Sequence, residues 1–85
     1  MSKIAPLKRF GQNYLVDKNI ITKIIEEFNP QPDEIILEIG PGQGALTEEL
    51  IKSGAKIYAV EIDFRVIEEL QMKLPLLTIL NMDFL

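Results

Sequence analysis

Hydrophobic residues recur every three to four positions in the segment that follows Asp17. The residues of this stripe are Ile20, Ile21, Ile24, Ile25 and Phe28. Such spacing places one apolar face on an α-helix. Asp17 is a suitable N-cap, and Pro30 and Pro32 end the segment because proline lacks an amide donor and disfavours helix in the residue before it. The pattern therefore predicts a helix over residues 18–28.

Downstream of this helix, short runs of β-branched and other apolar residues alternate with further helical patterns. The runs predict strands over residues 34–39, 56–62 and 76–80, and the helical patterns cover residues 45–53 and 64–73. Strands separated by helices indicate a parallel sheet with right-handed crossovers. The predicted fold class is therefore α/β, and a helix followed by βαβαβ matches the N-terminal half of a Rossmann-like domain.

A sheet of this kind has the expected strand order 3-2-1, which leaves its first strand at one edge. The edge would consist of apolar residues: Ile35, Ile36, Leu37 and Ile39. Because open apolar edges pair with other chains, we expect self-association through this strand. The missing neighbour also predicts a fragment, in which residues 17–85 form the first half of a cofactor-binding domain and residues 1–16 form a basic N-terminal arm.

Composition and charge change this picture in two ways. The 85 residues contain no cysteine and no histidine, which excludes disulfides, thiolate or imidazole metal sites and histidine catalysis within them. The net charge is −4, but Lys3, Lys8 and Arg9 all precede the first acidic residue, so a basic arm joins an acidic body. Without an apolar run long enough for a membrane span, and without a secretory signal, we expect a cytoplasmic setting.

The strongest functional signal is a glycine-rich loop at residues 38–44, which reads Glu-Ile-Gly-Pro-Gly-Gln-Gly. It follows the first predicted strand of the βαβαβ unit and opens the next helix. Glycines let a ligand come close to the backbone, and the amides of a helix N-terminus attract an anion. Since ligands of open α/β sheets bind at this end of the strands, Gly40 and Gly42 are candidate cofactor-binding residues.

Carboxylates follow the next two strands. Glu61 lies 21 positions after Gly40, where an acid can accept both ribose hydroxyls of an adenosine. Asp83 follows the last predicted strand and suits the exocyclic amine of adenine. The structural alternatives are a solvated acid or a capping partner at Glu61 and an ordinary loop acid at Asp83, whereas Asp63 is predicted to be the N-cap of the last helix.

The loop is compatible with two classes of cofactor. Gly40, Gly42 and Ala45 fit the dinucleotide fingerprint with alanine in its last place, so a nicotinamide-dinucleotide-binding module of an oxidoreductase is one alternative. We favour S-adenosylmethionine, because Glu38 would repel a pyrophosphate but tolerate an ammonium or a sulfonium. Gly44 adds a third close-spaced glycine, which suits the amino-acid end of that cofactor.

Three segments together resemble the ribosomal RNA adenine N6,N6-dimethyltransferase family. They are residues 8–15 (Lys-Arg-Phe-Gly-Gln-Asn-Tyr-Leu), 38–47 and 60–63 (Val-Glu-Ile-Asp), and the similarity runs from about residue 7 to residue 83. The first segment is specific, the glycine loop is common to methyltransferases, and Tyr14 stands where the family often has phenylalanine. The resemblance implies S-adenosylmethionine-dependent dimethylation of adenosine N6 in small-subunit ribosomal RNA, and thus a role in ribosome biogenesis.

The same resemblance implies a cofactor site with these members: Asn13, Leu15, Gly40, Gly42, Glu61, Ile62 and Asp83. Asn13 and Leu15 would line the site from the N-terminal arm, although their residue types alone indicate only a loop packed over the sheet. Gly40 would contact the amino-acid end of the cofactor, Glu61 the ribose and Asp83 the adenine amine.

Residues for the chemical step are not found in this sequence. The family's catalytic Asn-Leu-Pro-Tyr type tetrapeptide does not occur among the 85 residues, and neither does its helical RNA-binding C-terminal domain. We therefore assign no catalytic residue and expect the isolated chain to be inactive. Lys8, Arg9 and Phe10 are candidates for contacts with ribosomal RNA and the small ribosomal subunit. A non-enzymatic RNA-binding remnant, with Lys3 and Tyr14 also in the interface, is a further alternative.

Overall fold

A computed structural model describes residues 2–4 and 17–83, and for Ser2 and Ile4 it describes the backbone only. The elements in chain order are β1 (Ser2–Ile4), α1 (Lys18–Phe28), β2 (Ile35–Ile39), α2 (Ala45–Lys52), β3 (Lys56–Glu61), α3 (Phe64–Lys73) and β4 (Thr78–Asn81). The strands form one parallel sheet in the order β1-β2-β3-β4. The predicted α/β class and the predicted helix followed by βαβαβ are therefore confirmed.

Helix α1 has the predicted bounds and the predicted N-cap. The Asp17 carboxylate accepts hydrogen bonds from the amides of Asn19 at 2.8 Å and Ile20 at 3.4 Å, which satisfies donors that the first turn cannot pair internally. Asn29 ends the helix in the left-handed conformation, with a φ of 49°. Of the predicted stripe, Ile21 is buried but Ile20 is 46% exposed, so the buried face is narrower than the pattern indicates.

The hydrophobic core lies between the described helices and one face of the sheet. Its buried members are Ile21, Ile36, Leu46, Leu50, Ala55, Ile57, Ala59, Leu70 and Leu77. Successive side chains of a strand point to opposite faces of a sheet. Ile36 of β2 is accordingly buried while Ile35 is 48% exposed. Within the described residues, no helix is long and apolar enough to cross a membrane.

Strand β1 covers the edge that the sequence predicts to be open. It pairs in parallel with β2, with Ser2 opposite Ile35 and Ile4 opposite Leu37. The prediction of an open edge is therefore wrong along these three residues of β2. A strand of three residues is too short to produce a recognisable alternating pattern, and its partner is about thirty positions away in sequence. The predicted self-association loses its stated cause over this stretch.

Lys3 fastens β1 to the end of α1. Its Nζ donates hydrogen bonds to the carbonyl oxygens of Phe28 at 2.6 Å and Asn29 at 3.1 Å, and it lies 3.0 Å from Oε1 of Glu34. The carbonyls that end a helix carry partial negative charge, so a cation is favourable there. Glu34 itself is buried and accepts the amide of Gln31 at 2.7 Å. One lysine therefore joins the edge strand, a helix end and a buried carboxylate.

Strand β4 begins two residues later than predicted. Pro75 and Leu76 form a turn after α3, which a hydrogen bond from the Leu77 amide to the Leu74 carbonyl closes at 3.1 Å. The predicted strand over residues 76–80 therefore starts too early, because its first residues belong to this turn. It also stops one residue too early. Asn81, one residue beyond the predicted strand, is the last residue of β4.

We predict that Lys3→Met lowers the free energy of unfolding. The substitution should also weaken the dependence of this free energy on pH in the acidic range. Burial raises the pKa of Glu34, but Lys3 and the Gln31 amide outweigh it and hold that pKa below its ordinary value of 4.5. The stabilisation from this lowered pKa is present above the unfolded value and is lost as the pH falls through the folded one. Urea unfolding followed at neutral and acidic pH measures both effects.

The matched control for this prediction is Lys23→Met. Lys23 is an exposed lysine of α1 that forms no ion pair with any residue in the described part of the chain. If the Lys3 and Lys23 variants change stability equally at every pH, the role assigned to Lys3 is wrong.

Candidate cofactor site

The carboxyl ends of β2, β3 and β4 lie side by side because the strands are parallel. Ile39 is paired with Val60, and Glu61 is paired with Asn81. The amide of Gly40 donates to the carbonyl of Val60 at 2.9 Å, which extends the sheet hydrogen bonding one residue beyond β2. The glycine loop therefore begins beside Glu61, as the sequence predicts for residues at adjacent strand ends.

The glycines of the loop all have positive φ but differ in their surroundings. A Cβ built on Gly40, which has a φ of +66°, would meet no atom of the described residues within 4 Å. A Cβ on Gly44, which has a φ of +84°, would lie 2.6 Å from Cδ1 of Leu70. Gly40 thus faces open space that suits a closely approaching ligand. Gly44 is buried, and its lack of a Cβ lets Leu70 of α3 pack against the loop.

The start of α2 combines uncapped backbone amides with a buried carboxylate. Gly44 is the N-cap and provides no side-chain oxygen, so the amides of the first turn are left without a side-chain cap. Glu38 is completely buried, and its Oε1 accepts a hydrogen bond from the hydroxyl of Thr47, which is also completely buried. The partial positive charge of a helix N-terminus stabilises such an anion. A pyrophosphate at the loop would face this negative charge.

The backbone that follows Glu61 holds its carboxylate. Oε2 accepts hydrogen bonds from the amides of Ile62 at 3.1 Å and Asp63 at 3.0 Å. Oε1 accepts no hydrogen bond from the described residues. Glu61 is half-buried and Ile62 is 60% exposed. The backbone therefore orients this carboxylate through one oxygen, Oε2.

Two further acidic residues, Asp63 and Asp83, lie after the carboxyl ends of β3 and β4, and their environments differ. Asp63 accepts the amide of Arg65 at 2.9 Å and its guanidinium at 3.4 Å, and these contacts hold the pKa of Asp63 below its ordinary value. Its predicted role as the N-cap of α3 is confirmed. Asp83 is exposed and lies two residues after the end of β4.

Several predicted site residues are not among those described at the carboxyl ends of the strands. Asn13 and Leu15, and the RNA-contact candidates Lys8, Arg9 and Phe10, lie outside the described residues. Lys3, which the RNA-binding alternative includes, instead bonds to the carbonyls at the end of α1.

One polar residue at the strand ends is not identified by the sequence pattern. The side-chain amide of Asn81 donates to the carbonyl oxygens of Glu61 at 3.1 Å and Ile62 at 3.2 Å. A prediction that ends β4 at Asn81 would have indicated this contact, because the parallel register then pairs Asn81 with Glu61. The contact between Thr47 and Glu38 is also not predicted, because a helical pattern does not show which distant side chain a hydroxyl will contact.

These features define the N-terminal part of a Rossmann-like fold: parallel strands, a glycine loop that opens a helix, and an acid at the end of the neighbouring strand. The sequence matches the family model for "Ribosomal RNA adenine dimethylase" over residues 6–85. The chain belongs to the ribosomal RNA adenine dimethylase family.

Individual relatives agree with this membership. The chain is 49% identical over 75 residues to "Ribosomal RNA small subunit methyltransferase A" of Chromobacterium violaceum, covering 88% of this chain and 29% of the relative. The protein of the same name from a Sulfurihydrogenibium species is 53% identical over 74 residues, covering 86% and 29%. A solved structure, "Crystal structure of 23S rRNA methyltransferase ErmE", aligns with a TM-score of 0.77 at 39% identity over 85% of this chain and 31% of that one. The chain therefore spans less than a third of each of these proteins.

We predict that Gly44→Ala and Gly40→Ala have separable effects. Both place an alanine in the left-handed region, at a cost of about 1–2 kcal/mol each. Gly44→Ala should lower the free energy of unfolding further, because its Cβ would also displace Leu70. Gly40→Ala should mainly weaken binding of S-adenosylhomocysteine. Urea unfolding and calorimetric titration measure the two effects, and equal losses of stability and affinity in both variants would contradict the assignment.

Proposed function

We propose that this chain is the cofactor-binding part of an S-adenosylmethionine-dependent enzyme that dimethylates adenosine N6 in small-subunit ribosomal RNA. The observation that carries the proposal is the Glu61 carboxylate, which backbone amides orient beside the Gly40 turn. The family is described as an adenine dimethylase, and the relatives carry the name small subunit methyltransferase. Both descriptions support this reaction and this RNA.

The described residues fit such a cofactor in three respects. The open space at Gly40 suits the amino-acid end, with Gly42 in the same turn. Oε1 of Glu61 suits the ribose hydroxyls. Asp83 would accept the adenine amine, and the exposed Ile62 offers an apolar contact. Asn13 and Leu15 are proposed to complete the site from the N-terminal segment.

Glu38 supports S-adenosylmethionine over a dinucleotide. The cofactor supplies a methyl group on a positively charged sulfur, whereas a nicotinamide dinucleotide would bring a pyrophosphate to the loop. Glu38 is completely buried beneath the first turn of α2 and bonded there to Thr47. A negative charge at this depth disfavours a second anion at the same helix end, because charges separated from water by protein interact strongly.

The reaction needs groups that these 85 residues do not contain. Adenine N6 is a poor nucleophile because its lone pair is delocalised into the ring. Acceptors for its hydrogens and an aromatic ring to hold the base are therefore required, and an extrahelical base must reach the methyl group. The family's Asn-Leu-Pro-Tyr type tetrapeptide would supply them, and it is not in this sequence. Lys8, Arg9 and Phe10 would contribute only contacts to the RNA.

We predict saturable binding of S-adenosylhomocysteine that Glu61→Ala weakens about tenfold or more, because hydrogen bonds to a charged group contribute about 1.5–3 kcal/mol. Calorimetric titration measures the affinity, and NAD added as a competitor should not displace the ligand. Glu68→Ala is the matched control, since Glu68 is an exposed acid of α3. Equal affinities of the wild type and the Glu61 variant would refute the ribose assignment, and displacement by NAD would favour the oxidoreductase alternative.

We also predict that the 85-residue chain transfers no methyl group to unmethylated small ribosomal subunits. The assay follows radiolabelled methyl groups from S-adenosylmethionine into ribosomal RNA, with a full-length relative as the positive control. Incorporation above the protein-free background would show that the chain contains a complete catalytic site.

A further inference from the structure

Asn81 makes two hydrogen bonds across the ends of adjacent strands. Its Nδ2 donates to the carbonyl oxygens of Glu61 at 3.1 Å and Ile62 at 3.2 Å. Asn81 is also the residue paired with Glu61 in the β3–β4 register. One side chain on β4 therefore holds two consecutive peptide groups at the point where β3 ends.

The same two peptide groups bind the Glu61 carboxylate through their amides. The first group joins the Glu61 carbonyl to the Ile62 amide, and the second joins the Ile62 carbonyl to the Asp63 amide. Both amides donate to Oε2 of Glu61, at 3.1 Å and 3.0 Å. A peptide group is planar, so a contact that fixes its carbonyl also fixes the direction of its amide. A carbonyl that accepts a hydrogen bond also makes its amide a stronger donor.

We propose that Asn81 is a positioning residue for Glu61, acting through these two peptide groups to aim the second carboxylate oxygen at the ribose of the cofactor. The inference rests on the proposed role of Glu61 in binding ribose. The side-chain hydrogen bonds of Asn81 to the described residues all go to backbone carbonyls, and Asn81 is not assigned a contact with the cofactor. Removing its amide should leave the two peptide groups free to rotate, and the carboxylate should lose its fixed direction.

The first test needs no ligand. Asn81→Ala, and Asn81→Leu as a variant of the same branched shape without an amide, should speed hydrogen exchange at the Ile62 and Asp63 amides about three- to tenfold, the factor that corresponds to one ordinary hydrogen bond. Thr78→Ala is the matched control, because Thr78 is an exposed polar residue at the other end of β4. Unchanged exchange at both amides in both Asn81 variants would overturn the proposal.

The second test separates positioning of Glu61 from general support of the fold. The titration compares S-adenosylhomocysteine with its 2′,3′-dideoxy analogue, which lacks both ribose hydroxyls. The wild type and Thr78→Ala should prefer the hydroxylated ligand, and the Asn81 variants should lose about three- to tenfold of that preference. A merely structural role would weaken both ligands equally, and this result would overturn the inference while leaving the proposed function intact. A wild type that shows no preference would overturn the ribose role of Glu61 instead.

Discussion

Parallel pairing of β2 with β3 is the constraint on which the candidate site depends. It places Ile39 beside Val60, so that the carboxyl ends of both strands lie together. The hydrogen bond from the Gly40 amide to the Val60 carbonyl continues this pairing into the glycine loop. Glu61 follows Val60 directly, and it therefore lies next to the loop although 21 positions separate it from Gly40. An antiparallel arrangement of β2 and β3 would put Gly40 and Glu61 at opposite ends of the strands.

Polar contacts between distant segments refine this framework. Thr47 binds the buried carboxylate of Glu38 and so joins the end of β2 to the first turn of α2. Lys3 binds the end of α1 and the buried Glu34, and so keeps β1 on the sheet. A buried charge is tolerated only when hydrogen bonds or an opposite charge compensate it. The Lys3 contact compensates Glu34 in this way, and both contacts fix the relative positions of helices and strands.

Local patterns predicted the periodic elements well, and their errors have identifiable causes. The helix over residues 18–28 was correct at both ends because capping and helix-ending residues surround it. The start of β4 was wrong because the turn at Pro75 extends by hydrogen bonding into an apolar run that resembles a strand. Strand β1 was missed because three residues carry no period and are defined only by a partner distant in sequence. Loop spacing also does not show that Leu70 packs against Gly44.

The sequence by itself determined the fold class, the place of the glycine loop and the family, because each depends on residue type and spacing along the chain. Tertiary structure alone decided which glycine faces open space, which residue covers the edge of β2 and which oxygen of Glu61 the backbone holds. Those properties depend on atoms that belong to segments far apart in sequence. Asn81 shows the difference most clearly, since its amide reaches the Glu61 carbonyl only because the β3–β4 register pairs the two residues.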